Sequence, residues 1–267
     1  MHIVVCINRI PDPEAPPKQF RLDEASNRPV LDRMSWVIGP FDENALETAL
    51  KLKDSAGARI TALTVGPASN QEALRRALAL RCDAAVHVNE DRALGLDSAG
   101  VARTLAAAIR KLGEVDLILC GRQVGDWDGG QAGQLLAEEL SFAYVHLLRQ
   151  IDSNGGPTLR INTEVPTGFA LVEAQLPIVA AVTNASTNQL RIPKVKDVMA
   201  ARRATISAWT AADLGLDMAE LLGSGVTVAV RRLFIPDTGV QVEMIRGEND
   251  EEVAEKLARR ILDLKVL

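Results

Sequence analysis

Along the first 183 residues, short apolar runs alternate with longer segments whose apolar residues recur at helical spacing. IVVCI (residues 3–7), RITALTVG (59–66), AAVHV (84–88), VDLILCG (115–121) and PIVAAVT (177–183) are rich in β-branched residues and bounded by turn or charged residues, as buried parallel strands are. Between them, Asp42–Asp54, Asn70–Leu80, Ser98–Leu112 and Gln131–Leu140 place apolar side chains on one helical face. Strands alternating with helices of this length predict right-handed βαβ units and a mostly parallel, doubly wound α/β sheet. Two helix starts carry their own signals. Asp42 opens DENALETALKL as an N-cap acid, and Ser69 or Asn70 caps QEALRRALAL, with Glu72 in the first turn.

The alternation stops at residue 183. NASTNQLRIPKVKDVMAARRATISAW (184–209) is polar, basic and interrupted by Pro193, which predicts an exposed excursion ending in a short helix. VTVAVRRLFIP (226–236) predicts a strand, and GENDEEVAEKLARRILDLKVL (247–267) a loop and an acid-led amphipathic helix. The chain thus divides into an α/β domain over 1–183, a loop with a short helix over 184–205, and a C-terminal extension over 206–267.

Composition narrows the function. At 267 residues and 47% hydrophobic, the chain can bury a full core, and a net charge of −5 creates no field for nucleic acid or anionic membrane. Cys6, Cys82 and Cys120 show no CxxC or Cys/His spacing, so neither a disulfide framework nor a metal site is expected. The apolar part of MHIVVCINRI is short for a secretory signal, and no uncharged stretch approaches the ~18 residues of a membrane span. The expectation is a soluble, cytoplasmic protein without membrane insertion.

The candidate chemistry lies in CGRQVGDWDGGQAGQLLAEEL (120–140), where an apolar run enters a glycine-rich loop and then a helix. Free backbone N–H groups and the positive helix end converge there, which suits an anion. Gly129, Gly130 and Gly133 remove Cβ atoms that would hold a phosphate away, while Asp126 and Asp128 are placed to fix the loop or meet ribose hydroxyls. The loop matches neither GxGxxG nor the P-loop pattern and has Arg122 as its one basic residue. In an open α/β sheet this loop, INRIPD and TVGPASN would all emerge where strands end. A nucleotide-hydrolysing or adenylating enzyme on such a sheet would need a cation, a phosphate-contacting side chain and a nucleophile or base. His2, His87 and His146 form no visible constellation, so a binding protein is favoured over a catalyst.

The residues then resemble a known family. VVCINRIPDP, GPFDENALETALKLK, ALTVGPASNQEALRRALALRCDAAVHV, GRQVGDWDGGQAGQLLAEEL, VEAQLPIVAAVT and VMAARRATI are similar, in order and over nearly the whole chain, to segments of the β subunit of electron transfer flavoprotein, the family that includes the FixA proteins. The resemblance implies a Rossmann-like fold of the adenine-nucleotide-binding (HUP) type. It also implies an electron-carrier subunit in an obligate heterodimer with an α subunit that carries the redox FAD, not a stand-alone catalyst. In that family the β subunit buries AMP, and bifurcating members hold a second FAD in its place. Electrons arrive from an acyl-CoA or other flavoprotein dehydrogenase and leave to a quinone oxidoreductase or another acceptor. A nucleotide-sensing regulator resembling universal stress proteins is the competing binding module; the length, the docking loop and the extension argue against it.

Carried over by position, the resemblance implies nucleotide contacts from Cys6, Gly39, Pro40, Phe41, Asp42 and Val65. The loop adds Gly121, Arg122, Gln123, Val124, Gly125, Asp126, Trp127, Asp128, Gly129, Gly130, Gln131, Ala132 and Gly133. It places Glu164 and the C-terminal extension at the α-subunit interface, Arg9 behind the flavin cradle, and Val195 between Lys194 and Lys196 as the apolar anchor for a dehydrogenase. Cys6 and Cys120 also read as small buried hydrophobes. Gly39 replaces a family Asn, Pro13 stands where many members have an aromatic, and Trp127 and Gly129 depart from the bifurcating pattern.

Overall fold

The computed structural model describes residues 1–236, 239 and 242–265, apart from the side chain of Pro17. Two compact units divide it, Met1–Arg232 and Leu233–Leu267. In the first, β1 (His2–Cys6) leads into two short hairpin-like pairs, β2 (Arg9–Pro11) with β5 (Trp36–Ile38) and β3 (Arg21–Asp23) with β4 (Arg28–Val30). The βαβ series follows: α1 (Pro40–Ala56), β6 (Arg59–Gly66), α2 (Gln71–Ala79), β7 (Ala84–Asn89), α3 (Ser98–Leu112), β8 (Leu117–Gly121) and α4 (Ala132–Leu140). Then come β9 (Ala143–Ser153), β10 (Thr158–Val165), β11 (Gly168–Gln175), β12 (Ile178–Val182), α5 (Val195–Arg203), β13 (Ser207–Trp209) and α6 (Met218–Leu222). The second unit carries α7 (Asp250–Asp263), capped by the Asn249 side chain; Val266 and Leu267, the end of the expected helix segment, lie outside the described residues.

Nine strands form one sheet in the order β11-β10-β9-β12-β8-β1-β6-β7-β13. From β9's contact with β12 through to β13 the pairings are parallel, and β9-β10-β11 is an antiparallel meander. The fold is therefore α/β and Rossmann-like. Alternating strand residues feed two cores. Ile3, Val5, Leu117, Leu119, Ile178 and Ala180 pack with α1 and α2, whereas Val4, Cys6, Ile118, Cys120, Val179 and Ala181 pack with α3 and α4. From β1 the chain winds outward through α1 and α2 to β6 and β7, then returns by α3 to place β8 on the other side of β1. The winding direction reverses between β1 and β8, which makes their carboxyl ends the sheet's switch point.

Several local expectations are corrected. The N-cap of α1 is Gly39 with Pro40 following, so Asp42 lies in the first turn and does not cap its own helix. Asn70 precedes α2 but gives it no side-chain cap; its amide donates instead to the Val65 carbonyl at 3.0 Å. The strand expected over 226–236 is absent: none of these residues lies in a strand, and Val228 and Val230 are exposed. Alternation along the sequence does not by itself make a strand, because strand preference depends on the packing surface it meets.

One face of α1 fastens the excursion after β12. Asn44, Glu47, Lys51 and Asp54 recur at spacings of three and four, as one helical face requires. Asn44 Oδ1 accepts from the Ala185 N–H at 3.4 Å, and Lys51 donates to the Thr187 carbonyl and, at 3.1 Å, to Asn188 Oδ1. Arg191 donates through Nη2 to Glu47 at 2.8 Å and through Nη1 to Asp54 at 2.7 Å. The Glu47 side chain is 6% exposed and that of Arg191 38%. Arg191→Ala would leave a buried carboxylate without its cation, though still accepting the residue-191 N–H at 3.1 Å, and the half-open position of the arginine reduces the usual cost of that loss to about 2 kcal/mol. Urea unfolding should show this, with Arg191→Lys between the variant and wild type; unchanged stability in Arg191→Ala would mean the ion pair is solvated.

Candidate functional site at the sheet switch point

The residues expected to touch a nucleotide converge on the carboxyl ends of β1, β6 and β8. Cys6 and Gly121 end β1 and β8, Val65 lies near the end of β6, and Gly39–Asp42 form the start of α1. Residues 122–131 arch from β8 to α4. Gly125 abuts Ile10 and Pro40, and Gly129 abuts Ser98 at the start of α3, so the arch spans both faces of the sheet. Its own side chains shape it. Gln123 donates to Asp128 Oδ1 at 2.6 Å, the Trp127 N–H donates to Asp126 Oδ1 at 2.9 Å, and Asp128 and Gly130 take positive φ values of 49° and 62°. Trp127 is exposed at the tip.

Beyond the arch, α4 begins after Gln131 with no side chain capping its N–H groups and no acid in its first turn. Those donors are free to meet an anion. Gly133 serves a different need from the one its sequence suggests. A Cβ there would stand 2.7 Å from Cys120 Sγ, so glycine is what lets α4 close onto β8. Arg122 stacks over Phe41, its guanidinium carbon 4.6 Å from the ring centroid, and donates to Thr183 Oγ1 at 3.4 Å. Its Nε is buried without a hydrogen-bond partner. Loop amides, an uncapped helix start and an arginine with an orphaned donor fit an anionic nucleotide.

At the centre of the site is Asp42. Its Oδ2 accepts from the Asn8 N–H at 2.8 Å and its Oδ1 from the Gly121 N–H at 3.1 Å, so one carboxyl joins the segments leaving β1 and β8. Only a glycine fits at 121, because a Cβ would lie 2.6 Å from Asp42 Oδ1 and 2.9 Å from the Phe41 backbone carbon. Burial raises the Asp42 pKa to about 7, against the lowering effect of the two amides. Burial also raises the Cys120 thiol to about 12 and Cys6 well above its ordinary value, so neither is a thiolate near neutral pH. Both pack as small apolar side chains. Asn8, which shares in this junction, was noted in the sequence only within the Asn8-Arg9 pair that follows the first strand, with no binding role given to it.

The other expected residues lie elsewhere. Glu164 is on β10, four strands from β1, and pairs at 3.4 Å with Arg149, which stacks on exposed Phe169. Val195 opens α5, 81% exposed between the exposed Lys194 and Lys196, and neighbouring Ile192 is 91% exposed. Ile192, Phe169 and Leu171 are exposed apolar residues that the sequence reading passed over. Arg9 pairs with Glu72 at 2.8 Å and stacks on Trp36. The histidines are apart: His2 meets Thr61, His87 the Gly66 carbonyl, and His146 the Tyr144 hydroxyl. A cavity of about 530 Å³ near Lys53, Arg81 and Arg191 lies outside this cluster, with Lys53 already paired to Asp83 at 2.6 Å and Arg191 to Asp54 at 2.7 Å.

Residues 30–214 match the family model described as the electron transfer flavoprotein domain. The chain belongs to the electron transfer flavoprotein β-subunit and FixA family. It is 31% identical to the electron transfer flavoprotein subunit beta of Clostridium acetobutylicum, over 99% of this chain and 98% of that one. It is 32% identical to protein FixA of Azorhizobium caulinodans, over 88% and 85%, and 30% identical to subunit CarD of the caffeyl-CoA reductase-Etf complex of Acetobacterium woodii, over the full length of both. Its role is accordingly in electron transport with flavoproteins. Among the described residues, no helix is long and apolar enough to cross a membrane.

The titration of Asp42 has a definite consequence for stability. Its folded pKa of about 7 lies above the ordinary value of 3.8, so the folded state binds more protons between the two. Stability contributed through this group is therefore greatest at low pH, falls as pH rises from about 4 to about 7 and is level above. Asp42→Asn removes that slope, so the wild-type and variant unfolding free energies should diverge across the window by on the order of 3 kcal/mol. Urea titrations at pH 5 and pH 8 measure it; parallel pH dependence in the two proteins would show that the carboxyl does not titrate there.

Proposed function

We propose that this chain is the β subunit of a heterodimeric electron transfer flavoprotein, holding AMP in the switch-point crevice. In this reading an α subunit carries the redox FAD, and the β subunit supports that flavin domain while electrons pass from a flavoprotein dehydrogenase to a quinone oxidoreductase or another acceptor. The observation that carries the nucleotide assignment is the convergence of the 122–131 arch, the uncapped start of α4 and the Asp42 junction on one switch point. The phosphate would meet the amides around Gly129 to Gly133, with Arg122 as the near cation, and the nucleotide would stabilise the fold without redox chemistry of its own. FAD instead of AMP in this crevice is the reading for a bifurcating protein; Trp127 and Gly129 favour AMP through their departure from that pattern.

Acid release and chromatography of the nucleotides from the purified αβ complex decide between the two. One FAD and one AMP per heterodimer supports the single-flavin carrier, and two FAD the bifurcating one. Any side chain at Gly130 strains a left-handed backbone, so Gly129→Val is the cleaner probe of the crevice. It should release AMP, keep the α-bound FAD and lower stability by about 2.7 kcal/mol if the ligand is held at 100 times its dissociation constant. Full AMP retention at unchanged stability would make the arch a turn and nothing more.

The surface of α5 is proposed to dock the dehydrogenase. Val195 and Ile192 stand out from a rim of Lys194, Lys196, Arg202 and Arg203, a local basic patch on an acidic protein. Val195→Ala should slow reduction by the donor about tenfold while flavin content stays intact. Stopped-flow mixing with the dehydrogenase reports it, and equal rates would assign the patch another role.

A further inference from the structure

Asp42 is more than a lining residue of the crevice. Its side chain is buried, both oxygens hold backbone N–H groups from segments leaving the two strands that flank the switch point, and among the described residues no cation is bonded to it. Two glycines make room for it: a Cβ at Gly121 would overlap Oδ1 at 2.6 Å, and one at Gly39 would press on Oδ2 at 3.2 Å. The charged and titratable groups around it come from each neighbouring element. Cys6 faces it from β1, Cys120 from β8, Glu43 from α1 and Asp126 from the arch. Arg122, the cation of the arch, is turned onto Phe41 and Thr183. The uncapped start of α4 is close by, because Gly133 lies against Cys120, and the residue after Cys120 is the Gly121 that Asp42 holds.

A phosphate arriving at this helix start would bring a second negative charge beside a buried carboxylate that has no counter-ion, and in a low dielectric that repulsion is large. Cys6 and Cys120 cannot absorb it, since their thiols are already neutral. We propose that Asp42 is the positioning residue of the nucleotide crevice, and that a phosphate-bearing adenine nucleotide binds there together with one proton taken up by the Asp42 carboxyl. The proposal rests on the nucleotide assignment above. The proton comes from solvent, one O–H bond forms on the carboxyl, and no other bond changes. Neutral Asp42 can still accept one N–H on its carbonyl oxygen and the other on a lone pair of its hydroxyl oxygen, so both ends of the junction persist, the second more weakly, while the charge conflict is removed.

Isothermal titration of AMP and of adenosine into the αβ complex, stripped of nucleotide with charcoal, tests this at pH 7.5 to 8.5. Two buffers of different ionisation enthalpy give the proton count directly. AMP is a full dianion in this range, its second pKa lying near 6, so uptake there belongs to the protein. The expected result is uptake of about half to one proton with AMP, an AMP affinity falling by up to about tenfold per pH unit, and neither effect with adenosine. In Asp42→Asn the proton uptake should vanish and the AMP affinity become level with pH. AMP binding without proton uptake in the wild type overturns the proposal while leaving the nucleotide assignment intact, and so does equal uptake in Asp42→Asn. A complex that binds neither AMP nor FAD at any pH sinks both readings. The wild-type comparison of AMP with adenosine needs no variant, so a poorly folding Asp42→Asn protein leaves the test decisive.

Discussion

The site depends on one carboxyl group bonded to two backbone amides. Parallel strands diverge at a switch point because their connections leave in opposite directions, and nothing in the sheet itself fixes the gap between their ends. Asp42 supplies that constraint here, bonded to the N–H of Asn8 on one side and of Gly121 on the other. Its position in the first turn of α1 means that the helix, both strands and the arch share a single reference point. The glycine at 121 and the absence of a capping role for Asp42 follow from the same bond pattern.

The helix that presents Asp42 at one end grips the excursion after β12 along one face. Asn44, Glu47, Lys51 and Asp54 hold residues 185–191, and Ile192 and Val195 project immediately beyond the Arg191 ion pair. A rigid element thus sets the position of both the switch-point crevice and the apolar patch. The patch residues contribute little to the core, so their identity is not set by packing within the chain.

The βαβ half was legible because its strands are buried on both faces and read as unbroken apolar runs, with helices of clear period between them. The β9-β10-β11 meander was not. Its strands alternate buried and exposed residues, as in the pattern of Thr158–Val165, and polar positions such as Arg160, Asn162 and Glu164 interrupt every apolar run. Residues 226–236 mislead in the opposite sense, since their alternating valines fit a strand pattern although none of them lies in a strand. At the site, the glycine-rich arch was visible from local chemistry alone. The Asp42 junction was not, because it joins residues 34 and 79 positions apart, and no local pattern encodes such a bond. A carboxylate after a Pro-Phe pair reads as a cap until the strands are placed around it.

The place of β1 in the sheet also governs the order in which the molecule can be assembled. One of its edges pairs with β6, available as soon as residue 66 has been made, while the other waits for β8, and the His2 N–H finds its Asp116 acceptor 114 residues along the chain. During synthesis, β1-α1-β6-α2-β7 can therefore condense with an unpaired apolar edge exposed. That edge is a template for mispairing until β8 arrives. Closure of β8 onto β1 at once protects the edge and brings Gly121 to Asp42, so the switch point is completed only by a contact that spans more than a hundred residues of chain.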